Sequence, residues 1–266
     1  MRIQKLTRTP SFKIAIVCIV SGIASFLTSI LYNSTILAFI GLGLVFWGAI
    51  FILLRPVKYV EGSLLSSGVV PEYLTIDRII RDLHCEGQGY YLPSYPKGVR
   101  MPEYLRAFKD TVAFVSAEKN FKMPSIEEMA QSKFLLSKSK GILVIPPGIG
   151  LLAQAERQSR LDFSKMEPGP VCDVFSRYTT ENFSLARSAE VKRSENEVTL
   201  KLYDFLYSEL YRPEIKMTSI NLLGCPIVSA LACALAGATG RIVTIEKQEL
   251  SQNGMTLDVV YRLLPG

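Results

Sequence analysis

The chain has 266 residues, 48% of them hydrophobic and 20% charged, and a formal net charge of +6. The basic excess is local: residues 1–58 hold six Lys or Arg and no acid, and the remainder balances 24 bases against 24 acids. A nucleic-acid domain carries its own basic surface, so DNA and RNA are not expected partners.

The first third reads as two membrane spans. Ile14 to Tyr32 and Thr35 to Leu54 contain no Asp, Glu, Lys or Arg, and each is long enough, at about 1.5 Å rise per residue, to cross a hydrocarbon core of about 30 Å. Only Asn33 and Ser34 separate them. Arg2, Lys5, Arg8 and Lys13 precede the first run and Arg55 and Lys58 follow the second, so the expected topology is a two-span hairpin in the cell membrane with both termini cytoplasmic. A secretory signal peptide is the competing reading, but the second run follows without a charged break or a small-residue cleavage site. Ser21, Ser25 and Ser29 recur every four residues beside Gly22 and Ala24, and the second run offers Ala38, Gly41, Gly43, Gly48 and Ala49. Small residues let two helices approach closely, and spans without ionisable groups have nothing to relay an ion.

Residues 59–266 form the expected cytoplasmic domain, α/β (α+β) in class, with antiparallel hairpins and a small-residue helix, as one core or two subdomains meeting near residues 165–170. Val60 to Leu83 reads as helix interrupted at Gly62 and Gly68, with a new segment starting at Pro71. Gly87-Gln88-Gly89 is a turn, and Tyr90 to Leu92 and Thr111 to Ala117 are strands, with Pro93, Pro96 and Pro102 breaking the stretch between. Ser125-Ile126-Glu127-Glu128 has the spacing of a capping box, predicting a helix to about Lys138. Gly141 to Ile145 is a short apolar strand. The Pro146-Pro147-Gly148-Ile149-Gly150 turn that follows leads into a helix holding Leu151, Leu152, Ala155 and Leu161. Strand, glycine turn and helix imitate a phosphate loop, but the turn lacks the Lys-Ser/Thr pair and is flanked by Ile and Leu. A further helix is expected from Pro168-Gly169-Pro170 to about Arg187. Then comes a hairpin of Ala189–Lys192 and Val198–Tyr203 across Ser194-Glu195-Asn196, and a short helix over residues 204–211.

The C-terminal stretch is the most distinctive. Leu223-Gly224-Cys225-Pro226 leads into a helix of small residues from Ile227 to Ala238, stopped by Thr239-Gly240. Two strands follow, Arg241–Ile245 and Thr256–Leu263, with Asn253-Gly254 in the connecting loop. Ala, Ser, Gly and Cys along that helix imply very close packing, by the sheet or by a ligand. On Gly224-Cys225-Pro226, the run Ser229 to Ala236, Thr239-Gly240 and Gly141 to Gly148, the chain resembles an archaeal family of uncharacterised two-span membrane proteins. From about Val191 onward it also resembles, more distantly, the vinyl-reductase-like (hydrocarbon-binding) domain. That resemblance implies an α/β ligand-binding module, in which Cys225, Pro226, Ser229, Ala232 and Cys233 would line an apolar ligand site. Members of that domain family often carry Cys in the terminal hairpin; residues 241–264 have none, so no metal or cofactor is expected.

Thiol chemistry is the enzymatic alternative. Five cysteines show no CxxC pair, His84 is the one imidazole, and adjacent His84-Cys85 is not a usual ligand spacing. Cys225, at a helix start that favours a thiolate, could be a nucleophile with His84 as its base. A small cysteine buried before Pro226 explains the same residue without catalysis. The sequence therefore predicts a membrane-anchored cytoplasmic binding or regulatory module, for a small apolar molecule or lipid. A protein-interaction scaffold and a thiol-dependent enzyme are the alternatives.

Overall fold

The computed structural model describes residues 10–32, 34–53, 62–93, 111–119, 124, 128, 134–212, 214 and 216–264. The chain divides into two compact units, residues 1–60 and 61–266.

In the first unit, α1 (Pro10–Tyr32) and α2 (Thr35–Leu53) form an antiparallel pair. Their seam is made by small residues seven apart: Ala15, Gly22 and Ser29 on α1, Gly41 and Gly48 on α2, all buried. Gly22 and Gly41 face each other, so a Cβ on Gly22 would lie 2.9 Å from the Gly41 carbonyl oxygen, and one on Gly41 2.8 Å from that of Gly22. Only glycine permits that approach. The every-four pattern of serines is used differently: Ser29 Oγ closes the turn on the Ser34 carbonyl at 2.7 Å, Ser25 Oγ reaches across to the Leu37 carbonyl at 3.2 Å, and Ser21 bonds back within α1. The outward faces are apolar and open, with Leu31, Ile36, Phe39 and Phe46 all more than 60% exposed.

The second unit begins with α3 (Gly62–Asp82), an unbroken helix through Pro71. The sequence predicted interruptions at Gly62 and Gly68 and a new segment from Pro71. Pro71 is exposed, so its ring meets solvent rather than core, and Tyr73, Ile76 and Ile80 anchor the same helix on its buried side. The strands are β1 (Gly89–Leu92), β2 (Val112–Ser116), β3 (Leu135–Leu136), β4 (Gly141–Val144), β5 (Ala186–Arg193), β6 (Glu197–Phe205), β7 (Ile242–Leu250) and β8 (Thr256–Leu264). They form one antiparallel sheet in the order β3-β4-β2-β1-β7-β8-β6-β5. Chain from both sides of residues 165–170 enters this sheet. Pairing of Tyr90 with Thr244 and Tyr91 with Val243 joins the N-terminal strands to the C-terminal hairpin.

One face of the sheet carries the helices α4 (Ile149–Ser159), α5 (Pro168–Arg177), α6 (Thr218–Leu223) and α7 (Pro226–Thr239). The strands alternate as a half-buried sheet should: Val198, Leu200 and Leu202 of β6 and Leu257, Val259, Tyr261 and Leu263 of β8 all enter the main core. On the other face Tyr90, Leu92, Val112, Phe114, Leu136 and Ile242 make a second, smaller cluster. In β7 the register shifts between Ile245 and Lys247. This bulge reverses the alternation, so that Gln248, opposite Val259, faces the helices.

Four further sequence expectations need correction. Residues 134–140 are not helical but contain β3 and a turn, because Glu128 binds that turn: its carboxylate accepts the amides of Lys138 (2.8 Å) and Ser139 (3.2 Å) and the Ser139 hydroxyl (2.5 Å). Ser125, Ile126 and Glu127 lie outside the described residues, and Glu128 is helical, as expected. Helix α4 ends at Ser159, since Arg160 is left-handed (φ 58°), leaving Leu161 exposed. Helix α5 stops at Arg177 and a single π turn, Tyr178–Asn182, leads to β5, which already starts at Ala186. Residues 204 and 205 belong to β6, and only Ser208–Tyr211 coils, as a 3-10 turn. Pro96 and Pro102 lie outside the described residues.

Candidate functional site

The residues singled out by sequence converge on the break between α6 and α7. Gly224 ends α6 with φ 66°, where a side chain is strained, and a Cβ there would overlap Val228. Cys225 caps α7 with extended backbone and Pro226 is its first residue. Breaking a helix inside a core strands carbonyls and amides that must find partners. Tyrosines from three other segments supply them. Tyr73 of α3 donates to the Gly224 carbonyl at 2.6 Å and Tyr91 of β1 to the Leu223 carbonyl, while Tyr261 of β8 adds a bond to the Val228 carbonyl inside α7 at 3.0 Å. The Cys225 amide donates to the Tyr211 hydroxyl at 2.9 Å, which donates in turn to Gln248 Oε1 at 2.8 Å. Gln248 Nε2 completes the relay on the Ile220 and Asn221 carbonyls, both at 3.0 Å. The start of α6 is held in the same way, by the Asp77 carboxylate on the Ser219 amide at 2.6 Å.

Helix α7 is enclosed by protein. From Pro226 to Ala236 every residue is buried. The turn before α4 lies directly on its backbone: a Cβ at Gly148 would overlap the Ala230 amide and the Pro226 carbonyl, and the Gly148 amide donates to Ser229 Oγ at 3.0 Å. Farther along, Gly237 lies beside Ser164, and β1 and β7 also pack against the helix. The phosphate-loop look-alike of the sequence is thus a packing turn, whose glycine is needed for backbone contact.

These surroundings fix the chemistry of the candidate residues. Cys225, Ser229 and Ala232 have no exposed surface and Cys233 is 1% exposed. Burial pushes both thiols above their ordinary value, more than nearby hydrogen bonds lower them, whereas a nucleophilic cysteine needs the opposite shift. Burial likewise raises the hydroxyls of Tyr73, Tyr91, Tyr211 and Tyr261. His84 sits exposed after α3 at φ 51°, whereas the Cys225 amide donates to the Tyr211 hydroxyl and the Cys225 carbonyl accepts the Ser229 amide. The two residues paired in the thiol reading therefore occupy opposite environments. Among the described residues, no group of three His, Cys, Asp or Glu side chains is placed to hold a metal ion. Sequence reasoning found the Cys-Pro helix but missed the tyrosines, which lie up to 151 residues from their acceptors and share no local motif.

No curated protein and no solved structure matches the chain. The family described as Domain of unknown function (DUF7982) matches residues 2–262, nearly the full length, and the chain belongs to that family.

Proposed function

We propose that the protein is a membrane-anchored module whose α+β domain acts from its surface, as a scaffold that engages a protein partner beside the bilayer. The anchor is the α1–α2 hairpin, inserted as two spans with both termini cytoplasmic. Its apolar outward faces support this, as does the cationic flanking of both runs. The observation that carries the surface reading is the filling of the α7 environment: the Gly148 turn occupies backbone-contact distance of the helix, and tyrosine hydroxyls take up the polar groups of its break. The small residues are accounted for by protein packing, with no ligand required.

A second reading keeps an apolar ligand or lipid beside Cys225, Pro226, Ser229, Ala232 and Cys233. It is favoured by the order of the C-terminal half: hairpin β5–β6, Cys-Pro helix, hairpin β7–β8, laid out as adjacent strands with α7 against them, which is the arrangement the vinyl-reductase-like resemblance implies. The surface reading is tested by placing photo-crosslinking residues at exposed Lys192, Glu195 and Lys247 in the full-length chain in native membranes. Discrete adducts of protein mass at a subset of these sites are expected; uniform absence of adducts at all of them contradicts it.

A further inference from the structure

The stretch Thr218–Thr239 is 22 residues long and, by length and apolar composition, is enough to cross a bilayer, as is the more apolar Ile14–Tyr32. It contains no Asp, Glu, Lys or Arg. In the fold 78% of it is buried, against 17% of the α1 stretch. The same sequence therefore suits two apolar surroundings, hydrocarbon and protein core. Its protein cover comes from both directions along the chain. Tyr73, Tyr91, the Gly148 turn and Tyr211 precede it, but β7 and β8, with Val243, Ile245, Gln248, Val259 and Tyr261, follow it. Until residues 240–266 have been made, β7 and β8 cannot add their cover to that of β1 on α7.

We infer that Thr218–Thr239 is a latent third span, and that the β7–β8 hairpin is the lock that keeps it in the core and the C-terminus on the cytoplasmic side. This rests on the anchoring reading above, since α1 and α2 bring the growing chain to the bilayer. Flanking charge gives no veto: Arg212 and Lys216 precede the stretch, Arg241 and Lys247 follow it. The Gly224–Pro226 break is tolerated in a span only where its freed backbone groups find partners. In the core the carbonyls of Leu223 and Gly224 and the amide of Cys225 have tyrosine hydroxyls, so the break tips the balance toward the fold once those tyrosines are assembled.

The test is protease protection of a C-terminal epitope on the full-length chain in inverted membrane vesicles. The wild type should be digested. Val243→Asp with Val259→Asp, at positions 0% and 1% exposed, stops the hairpin from docking and should leave most of the epitope protected. Adding Leu231→Lys, which charges the middle of the stretch, should restore digestion. Digestion of the double-aspartate chain, or protection that survives Leu231→Lys, overturns the inference. If the double-aspartate chain is degraded, a chain with Thr35–Leu53 replaced by a second copy of residues 218–239 decides. An epitope on the wild-type side means that the copy spans; an epitope on the far side means that it does not, and the inference fails. Alkaline extraction of the wild type separates the two ideas: release from the membrane defeats anchoring and takes this inference with it, while retention confines any failure to the latent span.

Discussion

The hydroxyl of Tyr73, on α3, donates to the carbonyl of Gly224 across 2.6 Å and 151 residues of chain, and both groups are buried. This bond ties the first helix of the α+β unit to the point where its central apolar stretch breaks. Replacing Tyr73 by Phe removes the donor and leaves the carbonyl dry and unpaired, a loss of about 1–3 kcal/mol. Thermal unfolding of the full-length protein in detergent should show the lower midpoint. Tyr91→Phe acts on the neighbouring Leu223 carbonyl, so the double variant should depart from additivity.

Gly148 and Gly150, on either side of the start of α4, should respond in opposite ways. Gly148→Ala drives a Cβ into the backbone of α7, where neither side can yield as a flexible side chain would. Its cost should reach or exceed the upper end of the roughly 1–3 kcal/mol typical of overpacking. Gly150→Ala meets nothing within 4 Å, lies within α4, and should stabilise by about 0.4–1 kcal/mol. Denaturant midpoints of the two variants measure the contrast.

Alkaline pH should weaken the fold before neutral or mildly acidic pH does. Cys225 and Cys233, and the hydroxyls of Tyr73, Tyr91, Tyr211 and Tyr261, are all raised by burial. Each is held protonated in the fold but ionises at its ordinary value once unfolded. Stability is therefore intact below about pH 8.5 and falls as pH climbs through the thiol and then the phenol range, by up to about 1.4 kcal/mol per pH unit per group. Unfolding followed from pH 8 to 11 checks this. Iodoacetamide at neutral pH should leave Cys225 unmodified until the protein unfolds.

Glu128 works in the opposite direction. Burial would raise its carboxyl, but the hydrogen bonds from Ser139 and from the amides of Lys138 and Ser139 outweigh that and hold it below the usual value. Its contribution is present above the ordinary carboxylate range and is lost as pH falls through the depressed one. Glu128→Gln should remove that part of the acid sensitivity and expose Lys138–Ser139 to faster amide exchange.

The elements written in local sequence were legible. The β5–β6 and β7–β8 hairpins announced themselves through alternation and turn residues, and α7 through Cys225-Pro226 at its start and Gly240, at φ 64°, as its stop. What was hidden depends on distant chain. The turn over Lys138 and Ser139 gave no local signal, because what holds it is the Glu128 carboxylate ten residues back. Arg187 looked helical until pairing of Ala186 with Phe205 claimed the segment for β5. The bulge at Glu246 left no signature, although it aims Gln248 at the α6 carbonyls. The small-residue helix was visible, but the Gly148 backbone that fills its surface was not, because that contact spans some 80 residues.

Native mass spectrometry of the detergent-purified full-length protein tests the central claim most directly, since it asks whether the α7 environment holds anything besides protein. The surface reading predicts the mass of the chain alone under mild activation, and no change in bound species on Ala232→Trp. A stoichiometric small molecule that survives mild activation and disappears in Ala232→Trp would contradict it and establish the interior ligand site instead.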